Sequence, residues 1–334
     1  RDTDRSRGLG DVYKRQGTFL IEGTGAVVLT LCFLPRYGFL KGLWRGIFHA
    51  VSAFCNAGFD LLGTEGEFSS LASYNGNPVV LLTIMALITI GGLGFFVWED
   101  ILRCGRDLRR LSLYSKMVLS FTAALILGGG LFFLLAEWDN PATLGDMPGW
   151  KRVLNAAFQA VTLRTAGFDT IGQGNLRDSS LAMSCILMLI GGSSGSTAGG
   201  LKTVTVGVLF LTLRAGLAGR EEVTLRGRSI SHRRVMNALT LTLIVAVIFL
   251  AGSMIISLVD DVPFLSAAFE SASAMATVGV TVGITPTLSL FSHVLLICMM
   301  FLGRVGIMSF SIAFLARSKY PAKIKYPTMD IMIG

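Results

Sequence analysis

Three short stretches of this chain share a pattern of residues whose backbone could coordinate a cation. The copies occupy residues 48–59, 158–168 and 269–280, and each runs from a Phe through small and hydroxyl residues to a Gly. Glycine adopts backbone angles that are closed to other residues. Carbonyl oxygens from several such loops can together replace the hydration shell of an ion. The pattern therefore indicates three loops that coordinate a cation through their backbone.

The residues that end each copy are the candidate ion filter. Three from each copy are assigned to it: Asn56, Ala57, Gly58, Thr165, Ala166, Gly167, Thr277, Val278 and Gly279. None of them is acidic, whereas a divalent ion would need carboxylates, so a monovalent cation is predicted as the only metal ion bound. Thr277-Val278-Gly279 also repeats the start of the loop that coordinates potassium in potassium channels. The alternative is that these small residues only let helices pack closely.

A second stretch of small residues interrupts a long apolar run. Its members are poor at holding a helix: Gly191, Gly192, Ser193, Ser194, Gly195, Ser196, Thr197, Ala198, Gly199 and Gly200, with Lys202 at its end. We predict a broken helix that forms a mobile gate beneath the filter. A phosphate-binding loop fits poorly, because Leu201 separates the last glycine from Lys202 and no strand precedes it. Tight helix packing, and a Lys202 that merely ends a span, remain alternatives.

Arg304 lies within the apolar run 294–316 and is assigned to the same gate. A charge at membrane depth is expensive and usually faces a cavity or a partner. The alternative is an arginine that extends to the membrane surface from near a helix end.

Each filter pattern holds too few apolar residues to cross a bilayer. A re-entrant pore helix followed by an extended return is therefore expected, with its backbone buried in protein or facing water. His49, Gln159 and Glu270 share one position of the three pore helices. They could hydrogen-bond to the return loop, or cap a helix or face solvent. Arg164 precedes Thr165 and is expected to brace the second loop through carbonyl contacts.

The composition is that of a membrane protein. The 334 residues are 52% hydrophobic and only 15% charged, with a mean hydropathy of +0.65. A soluble domain carries about a quarter charged residues. The net charge of +8 comes from Lys and Arg that cluster between the apolar runs, with no interleaved aromatic residues, so nucleic-acid binding is excluded. The five cysteines and three histidines form no metal-ligand or disulfide pattern.

The filter pattern recurs about every 110 residues, too long for a solenoid but suited to a transporter built from internal repeats. The predicted fold is an all-α polytopic membrane protein in which helix–pore-loop–helix units surround a central ion pore. The predicted segments are a disordered or foreign tail at 1–16, a pore unit at 17–98, a link at 99–112, a pore unit with the gating loop at 113–213, a link at 214–234, a pore unit at 235–316 and a tail at 317–334.

The first unit is predicted to contain a helix at 17–34, a loop at 35–44 and a second apolar run at about 77–98. The orientation follows from the basic residues, which concentrate in 99–116, 214–234 and 317–334. Cytoplasmic loops carry an excess of Lys and Arg. The links and the C-terminus are therefore predicted to be cytoplasmic, and the filter loops to face outside.

Several stretches resemble the Trk/Ktr/HKT potassium transporter superfamily, and most of all its bacterial KtrB-type membrane subunit. They read FHAVSAFCNAGFD, FQAVTLRTAGFDT, IGGSSGSTAGGLKT, FESASAMATVGVTVGITP and, at the C-terminus, KYPTMDIMIG. The resemblance implies potassium uptake across the bacterial plasma membrane, with no covalent cofactor and with sodium transport left open. It places Arg304 in the pore below the filter, against the gating loop. It also implies a homodimer in the lipid bilayer with a KtrA/TrkA-like cytosolic nucleotide-binding subunit.

One departure from the family bears on function. Members of the superfamily resemble four fused channel units, whereas the patterns here match the second, third and fourth. We therefore expect the chain to be truncated at its N-terminus, with the first unit missing. The alternative function is a non-conducting receptor or scaffold subunit. An enzyme is not expected, because the chain offers no paired acids, histidine cluster or nucleophile with a base.

Overall fold

The computed structural model describes residues 2–63, 66, 68–105, 107–220, 222–225 and 227–305. Within these ranges the chain forms ten α-helices, four short 3-10 helices and one short hairpin; the α-helices and strands position the site. They are α1 Asp2–Phe54, α2 Pro78–Leu93, α3 Phe95–Cys104, α4 Leu113–Ala136, α5 Gly149–Thr162, α6 Asp178–Leu189, α7 Thr203–Leu217, β1 Thr224–Leu225, β2 Arg228–Ser229, α8 His232–Asp260, α9 Phe264–Met275 and α10 Leu290–Val305. The end of the third predicted unit and the tail 317–334 lie outside the described residues.

Helix α1 differs from the sequence prediction at two places. Residues 2–16, predicted to be a disordered or foreign tail, continue the helix, because extending an existing helix adds one hydrogen bond for each residue that is ordered. The predicted loop 35–44 is also helical apart from Gly38, whose φ of 73° and ψ of 177° kink the helix. A single glycine thus makes the turn for which a ten-residue loop was expected, and the part after Gly38 is the first pore helix.

Each of the three units contains a long helix, a short pore helix, a return stretch and a second apolar helix. The pore helix α9 is enclosed, with nine of its twelve residues buried, whereas the long helices expose large apolar side chains such as Leu127 (72%) and Leu258 (85%). Three described helices are long and apolar enough to cross a membrane, or four if the bent pair α2 and α3 is one span. The protein has the fold of an all-α polytopic membrane protein.

The second helix of two units is broken. The apolar run predicted at about 77–98 contains two helices, because Gly94, with φ 82°, separates α2 from α3 and the two helices diverge by 96°. The run 179–213 is divided between α6 and α7, as its small residues indicate. Glycine allows the first break because few other residues adopt a positive φ.

Two glycines let the second helices approach the C-terminal ends of the pore helices. A Cβ atom at Gly91 would overlap the carbonyl oxygen of Phe54, and one at Gly303 would overlap that of Met275. These carbonyls end α1 and α9, where the helix dipole concentrates negative charge. The two units therefore repeat one packing contact that only glycine permits.

Glu137, the residue that caps α4, ties this helix to the beginning of α6. Its Oε2 accepts hydrogen bonds from Asn140 Nδ2 at 2.6 Å and from Thr143 Oγ1 at 2.8 Å. Its Oε1 accepts from the backbone N of Arg177 at 3.0 Å and from Ser180 Oγ. Burial by itself raises the pKa of Glu137, but the four hydrogen bonds outweigh it and hold the pKa below its ordinary value.

Replacing Glu137 by Gln should destabilise the protein at neutral pH by roughly 1–3 kcal/mol, because buried donors lose a charged acceptor. A depressed pKa in the folded state means that the carboxylate stabilises the fold above the unfolded-state pKa. This contribution is lost as the pH falls through the folded-state value. The difference in unfolding temperature between the wild type and Glu137→Gln should therefore shrink in acid.

The matched control is Glu99→Gln, because Glu99 makes only an exposed ion pair with Arg103. That variant should unfold like the wild type at both pH values. A Glu137→Gln difference of the same size at neutral and acid pH would contradict the assignment.

Candidate ion filter and gate

The three return loops share an unusual backbone. Two residues before each glycine, a residue other than glycine has a positive φ: Asn56 at 50°, Thr165 at 70° and Thr277 at 54°. The glycines follow at 73° for Gly58, 91° for Gly167 and 92° for Gly279. A left-handed conformation costs about 1–2 kcal/mol for an ordinary residue, so surrounding contacts must impose it. Three different sequences thus form the same local structure.

Hydroxyl groups near the end of each pore helix impose this conformation. Each donates to the carbonyl oxygen of the residue after the glycine: Ser52 to Phe59 at 2.7 Å, Thr162 to Phe168 at 2.7 Å, and Ser273 to Val280 at 2.6 Å. The backbone carbonyl of the same residue accepts from the residue before the glycine, at 2.8–2.9 Å. Each loop is therefore closed onto the C-terminal end of its helix, which carries partial negative charge that favours a cation.

The loops meet each other at their glycines. A Cβ atom at Gly58 would overlap the carbonyl oxygen of Ala166, and one at Gly167 would overlap that of Val278. A Cβ atom at Gly279, in contrast, would meet no described atom within 4 Å. A cavity of about 590 Å³ opens on this side and reaches filter residues of the first and third loops. The structure therefore brings the nine predicted filter residues into one cluster.

Three filter side chains present polar atoms that have no partner among the described residues. They are both polar atoms of the Asn56 amide and the hydroxyl oxygens of Thr165 and Thr277. A buried polar atom without a hydrogen bond costs about 1–3 kcal/mol. A cation or its hydration water would supply the absent partner. These oxygens are candidate ligands in addition to the backbone carbonyls.

The stretch 190–202 between α6 and α7 lies directly below these side chains. A Cβ atom at Gly199 would overlap Thr277 Oγ1, and one at Gly191 would lie 3.3 Å from Thr165 Cγ2. The base of the stretch is closed by a bridge between Ile190 and Leu201. The predicted gating residues 191–200 thus form a defined loop that contacts the candidate filter residues Thr165 and Thr277.

The gating loop is docked on the break between α2 and α3. The backbone N of Ser193 donates to the Gly92 carbonyl at 3.0 Å, and Ser193 Oγ donates to the Leu93 carbonyl. In return, the N of Phe95 donates to the Gly195 carbonyl at 3.3 Å. Sequence reasoning missed this docking site, although the glycines in the run 91–94 were a sign of it.

The two predicted gate cations both donate to carbonyls of the loop. Arg304 Nη1 lies 2.9 Å from the Thr197 carbonyl, and Lys202 Nζ lies 2.7 Å from that of Ala198. Thr197 also donates through Oγ1 to the Phe54 carbonyl at 3.1 Å. Arg304 lines the 590 Å³ cavity together with the filter residues. The loop is thereby linked to all three units.

Arg164 has a different role from the one that the sequence suggested. Its Nη2 lies 3.4–3.5 Å from Thr122 Oγ1, the Gly191 carbonyl and Thr203 Oγ1. It therefore supports the base of the gating loop from the filter side. Carbonyls of its own filter loop are not among the acceptors within the described residues.

Gln159 and Glu270, which share one position on their pore helices, make hydrogen bonds of two different kinds. Gln159 exchanges amide hydrogen bonds with Gln173 at 2.6 and 3.1 Å. Glu270 accepts from Thr281 Oγ1 at 2.6 Å, from the Val282 backbone N at 3.1 Å and from Thr285 Oγ1 at 2.9 Å. Both side chains thus hold the return loop, one of the alternatives that the sequence left open.

The third residue at this position behaves otherwise. The Nδ1 of His49 contacts the Arg45 carbonyl at 2.7 Å, and its ring stacks on Phe168 of the neighbouring filter loop, with centroids 6.3 Å apart. His49 therefore connects two units rather than closing its own loop.

Comparison with known proteins points to one family. The TrkH family, described as cation transport protein, matches residues 18–321. The potassium/sodium uptake protein NtpJ of Enterococcus hirae is 41% identical over 328 residues, which cover 97% of this chain and 71% of that protein. The Ktr system potassium uptake protein B of Bacillus subtilis is 35% identical over 314 residues, 94% and 69% of the two chains.

A solved structure shares the fold. The crystal structure of the potassium transporter TrkH from Vibrio parahaemolyticus matches 89% of this chain and 70% of that chain with a TM-score of 0.65 and 21% identity. At this identity the match concerns the fold alone.

Replacing Glu270 by Ala should lower the unfolding temperature markedly, because two hydroxyls and one amide lose their acceptor and each unsatisfied buried donor costs about 1–3 kcal/mol. Glu270→Gln keeps the shape and one acceptor oxygen, so a smaller loss is expected. Thermal unfolding in detergent measures both. The exposed Glu222→Ala is the control. Equal stability of Glu270→Ala and the wild type would show that the return loop is held elsewhere.

Proposed function

The chain belongs to the TrkH family of cation transport proteins, and on that premise we propose that it carries potassium into the cell across the bacterial plasma membrane. Its relatives are ion transporters rather than enzymes, and so is this protein. The observation that supports the proposal most directly is the cluster of three return loops with one backbone conformation. Irregular backbone at membrane depth occurs where it is buried in protein or lines an aqueous path, and the cavity beside these loops favours the second.

The filter is proposed to select potassium by backbone coordination. Three pore helices direct their C-terminal ends toward the loops, and the unpartnered oxygens of Asn56, Thr165 and Thr277 lie at the inner side. A cation that sheds water there gains oxygen ligands from these loops. Sodium is a second candidate cargo, because the name of the Enterococcus hirae relative includes it.

The loop 191–200 is proposed to be the gate. It contacts the filter residues and is held by individual hydrogen bonds: Arg304 and Phe95 donate to its carbonyls, and its own Ser193 and Thr197 donate to carbonyls of the first unit. Arg304 is proposed to repel a cation in the cavity while it keeps the loop in place. Release of these contacts would open the path.

The basic links are proposed to face the cytoplasm, where cytoplasmic loops concentrate Lys and Arg. The filter loops then face outside. A homodimer and a cytosolic nucleotide-binding regulatory subunit are further proposals, which rest on the family resemblance alone.

The filter assignment predicts that Gly58→Ser and Gly167→Ser lower the preference for potassium over sodium. A side chain at either site overlaps a carbonyl oxygen of the neighbouring loop and requires an unfavourable φ. Uptake of the two ions is compared in cells that lack other potassium uptake systems. Gly128→Ser, in a helical position of α4 with open space around it, is the matched control. Unchanged ion preference in both filter variants, or no potassium uptake by the wild type, would refute the proposal.

If Arg304 repels cations in the path, as proposed, Arg304→Ala should increase potassium flux per folded molecule. Each 1.4 kcal/mol removed from a rate-limiting barrier raises flux about tenfold. Arg304→Lys keeps the charge and loses the planar fork, so it should leak less than Ala. Arg103→Ala removes an exposed arginine from α3 and should leave flux unchanged. A lower flux for Arg304→Ala than for the wild type would mean that this arginine only supports the fold.

A further inference from the structure

A groove on the side of the helix bundle is not used by the filter or the gate. Its wider part, about 540 Å³, lies between the end of α7 and the β1–β2 hairpin. Its narrower part, about 140 Å³, lies between α4 and α7. Leu211 and Leu225 line both parts. The two cavities therefore adjoin at Leu211 and Leu225, and we call them the wide end and the narrow end of one groove.

The wide end is positively charged. Arg214 and Arg220 line it, and neither guanidinium makes a hydrogen bond or an ion pair with any residue that the structure describes. In contrast, Arg103 pairs with Glu99 at 2.9 Å and Arg110 pairs with Asp107 at 3.1 Å in the other link. Within the described part of the chain, the donors of the two groove arginines are therefore not used by another residue.

The narrow end is apolar. Met117 and Phe121 of α4 form one wall, and Leu211 of α7 lies in the other. Lys116 borders this part and has one contact, from Nζ to the Arg109 carbonyl at 2.6 Å. Helix α4 is long and apolar enough to cross the membrane. The narrow end of the groove therefore runs along a candidate membrane-spanning helix, beginning at the first turn of that helix. The two arginines thus lie at one end of the groove, and the apolar side chains of α4, bordered by Lys116, lie at the other.

We propose that this groove binds one anionic phospholipid of the cytoplasmic leaflet. The phosphate would contact Arg214 and Arg220, and an acyl chain would lie along Met117 and Phe121. Basic pockets between membrane helices on the cytoplasmic side recognise such headgroups. The planar guanidinium fork matches phosphate geometry. The placement rests on the cytoplasmic orientation of the links given under the proposed function.

The occupant is a lipid rather than a soluble anion or a protein segment because of the shape of the groove. A free phosphate would leave the apolar part empty, and a basic cleft that continues along a membrane span is open to acyl chains. A lipid there would also hold α7, whose first residue, Thr203, donates to the Gly191 carbonyl at the base of the gating loop at 2.9 Å. The lipid would thus fix the far end of the helix that anchors the gate.

Native mass spectrometry of the purified protein in neutral detergent tests the proposal. Phosphatidylglycerol is added as the probe and phosphatidylcholine as the neutral comparison. The wild type should retain one phosphatidylglycerol in preference to phosphatidylcholine. The double variant Arg214→Gln/Arg220→Gln should lose at least about tenfold in phosphatidylglycerol affinity, because each basic residue near an anionic surface contributes substantially to binding. The matched control, Arg103→Gln/Arg110→Gln, removes the same charge and should bind like the wild type.

A second variant tests the acyl-chain part of the groove. Leu211→Trp fills the junction of the two cavities and keeps both arginines, so it should weaken phosphatidylglycerol binding. Soluble glycerol phosphate should not displace the lipid at comparable concentration. Equal losses in the two double variants would indicate only diffuse surface charge and overturn the proposal. Displacement by glycerol phosphate, or an unaffected Leu211→Trp, would leave a phosphate site and overturn the lipid assignment.

Folding is monitored in every variant by its unfolding temperature, and each is expected to match the wild type. Lipid binding is measured without ion flux. A failure of this proposal is therefore distinguishable from a failure of the proposed potassium uptake.

Discussion

A chain that enters the membrane and turns back before crossing it must satisfy its own backbone inside the protein, because lipid offers no hydrogen bonds. The rest of this structure depends on how that demand is met. Near the end of each pore helix, a side-chain hydroxyl donates a hydrogen bond to the carbonyl of the residue after the glycine and so holds the return loop. These hydroxyls belong to Ser52, Thr162 and Ser273. The C-terminal ends of the pore helices are therefore buried, as Phe54, Thr162 and Met275 show, and the long helices expose their apolar side chains. Two of the three left-handed residues, Asn56 and Thr165, are buried there.

The same constraint explains why the units differ in detail while they share a plan. The return loop of the second unit is supported by an amide pair, that of the third by the carboxylate Glu270, and His49 of the first packs on its neighbour instead. In each unit, the residue at this position therefore makes contacts of a different chemical type. The three return loops share one backbone conformation. Coordination of a cation by backbone carbonyls requires this conformation but no particular side chain.

The gating loop joins the units into one assembly. It belongs to the second unit, docks on the helix break of the first at Gly94, and receives a hydrogen bond from Arg304 of the third. A loop of small residues has little apolar surface of its own to bury. Its position therefore depends on a set of individual hydrogen bonds to the three units, each of which contributes modestly to its stability.

The sequence alone determined the class of the protein, the three filter patterns and the position of the helix break at 190–202. These features are local: apolar length, repeated glycines and a run of helix-breaking residues. Only the tertiary structure decided that Gly94 breaks a second helix, that residues 2–16 and 35–44 are helical, and that Arg164 supports the gating loop. Each of these depends on partners distant in sequence or on how one glycine directs the chain. The contact between Arg304 and Thr197 joins residues 107 positions apart. The family resemblance suggested this contact. The local sequence pattern could not predict it, because the arginine and the loop come together only when the three units pack against each other.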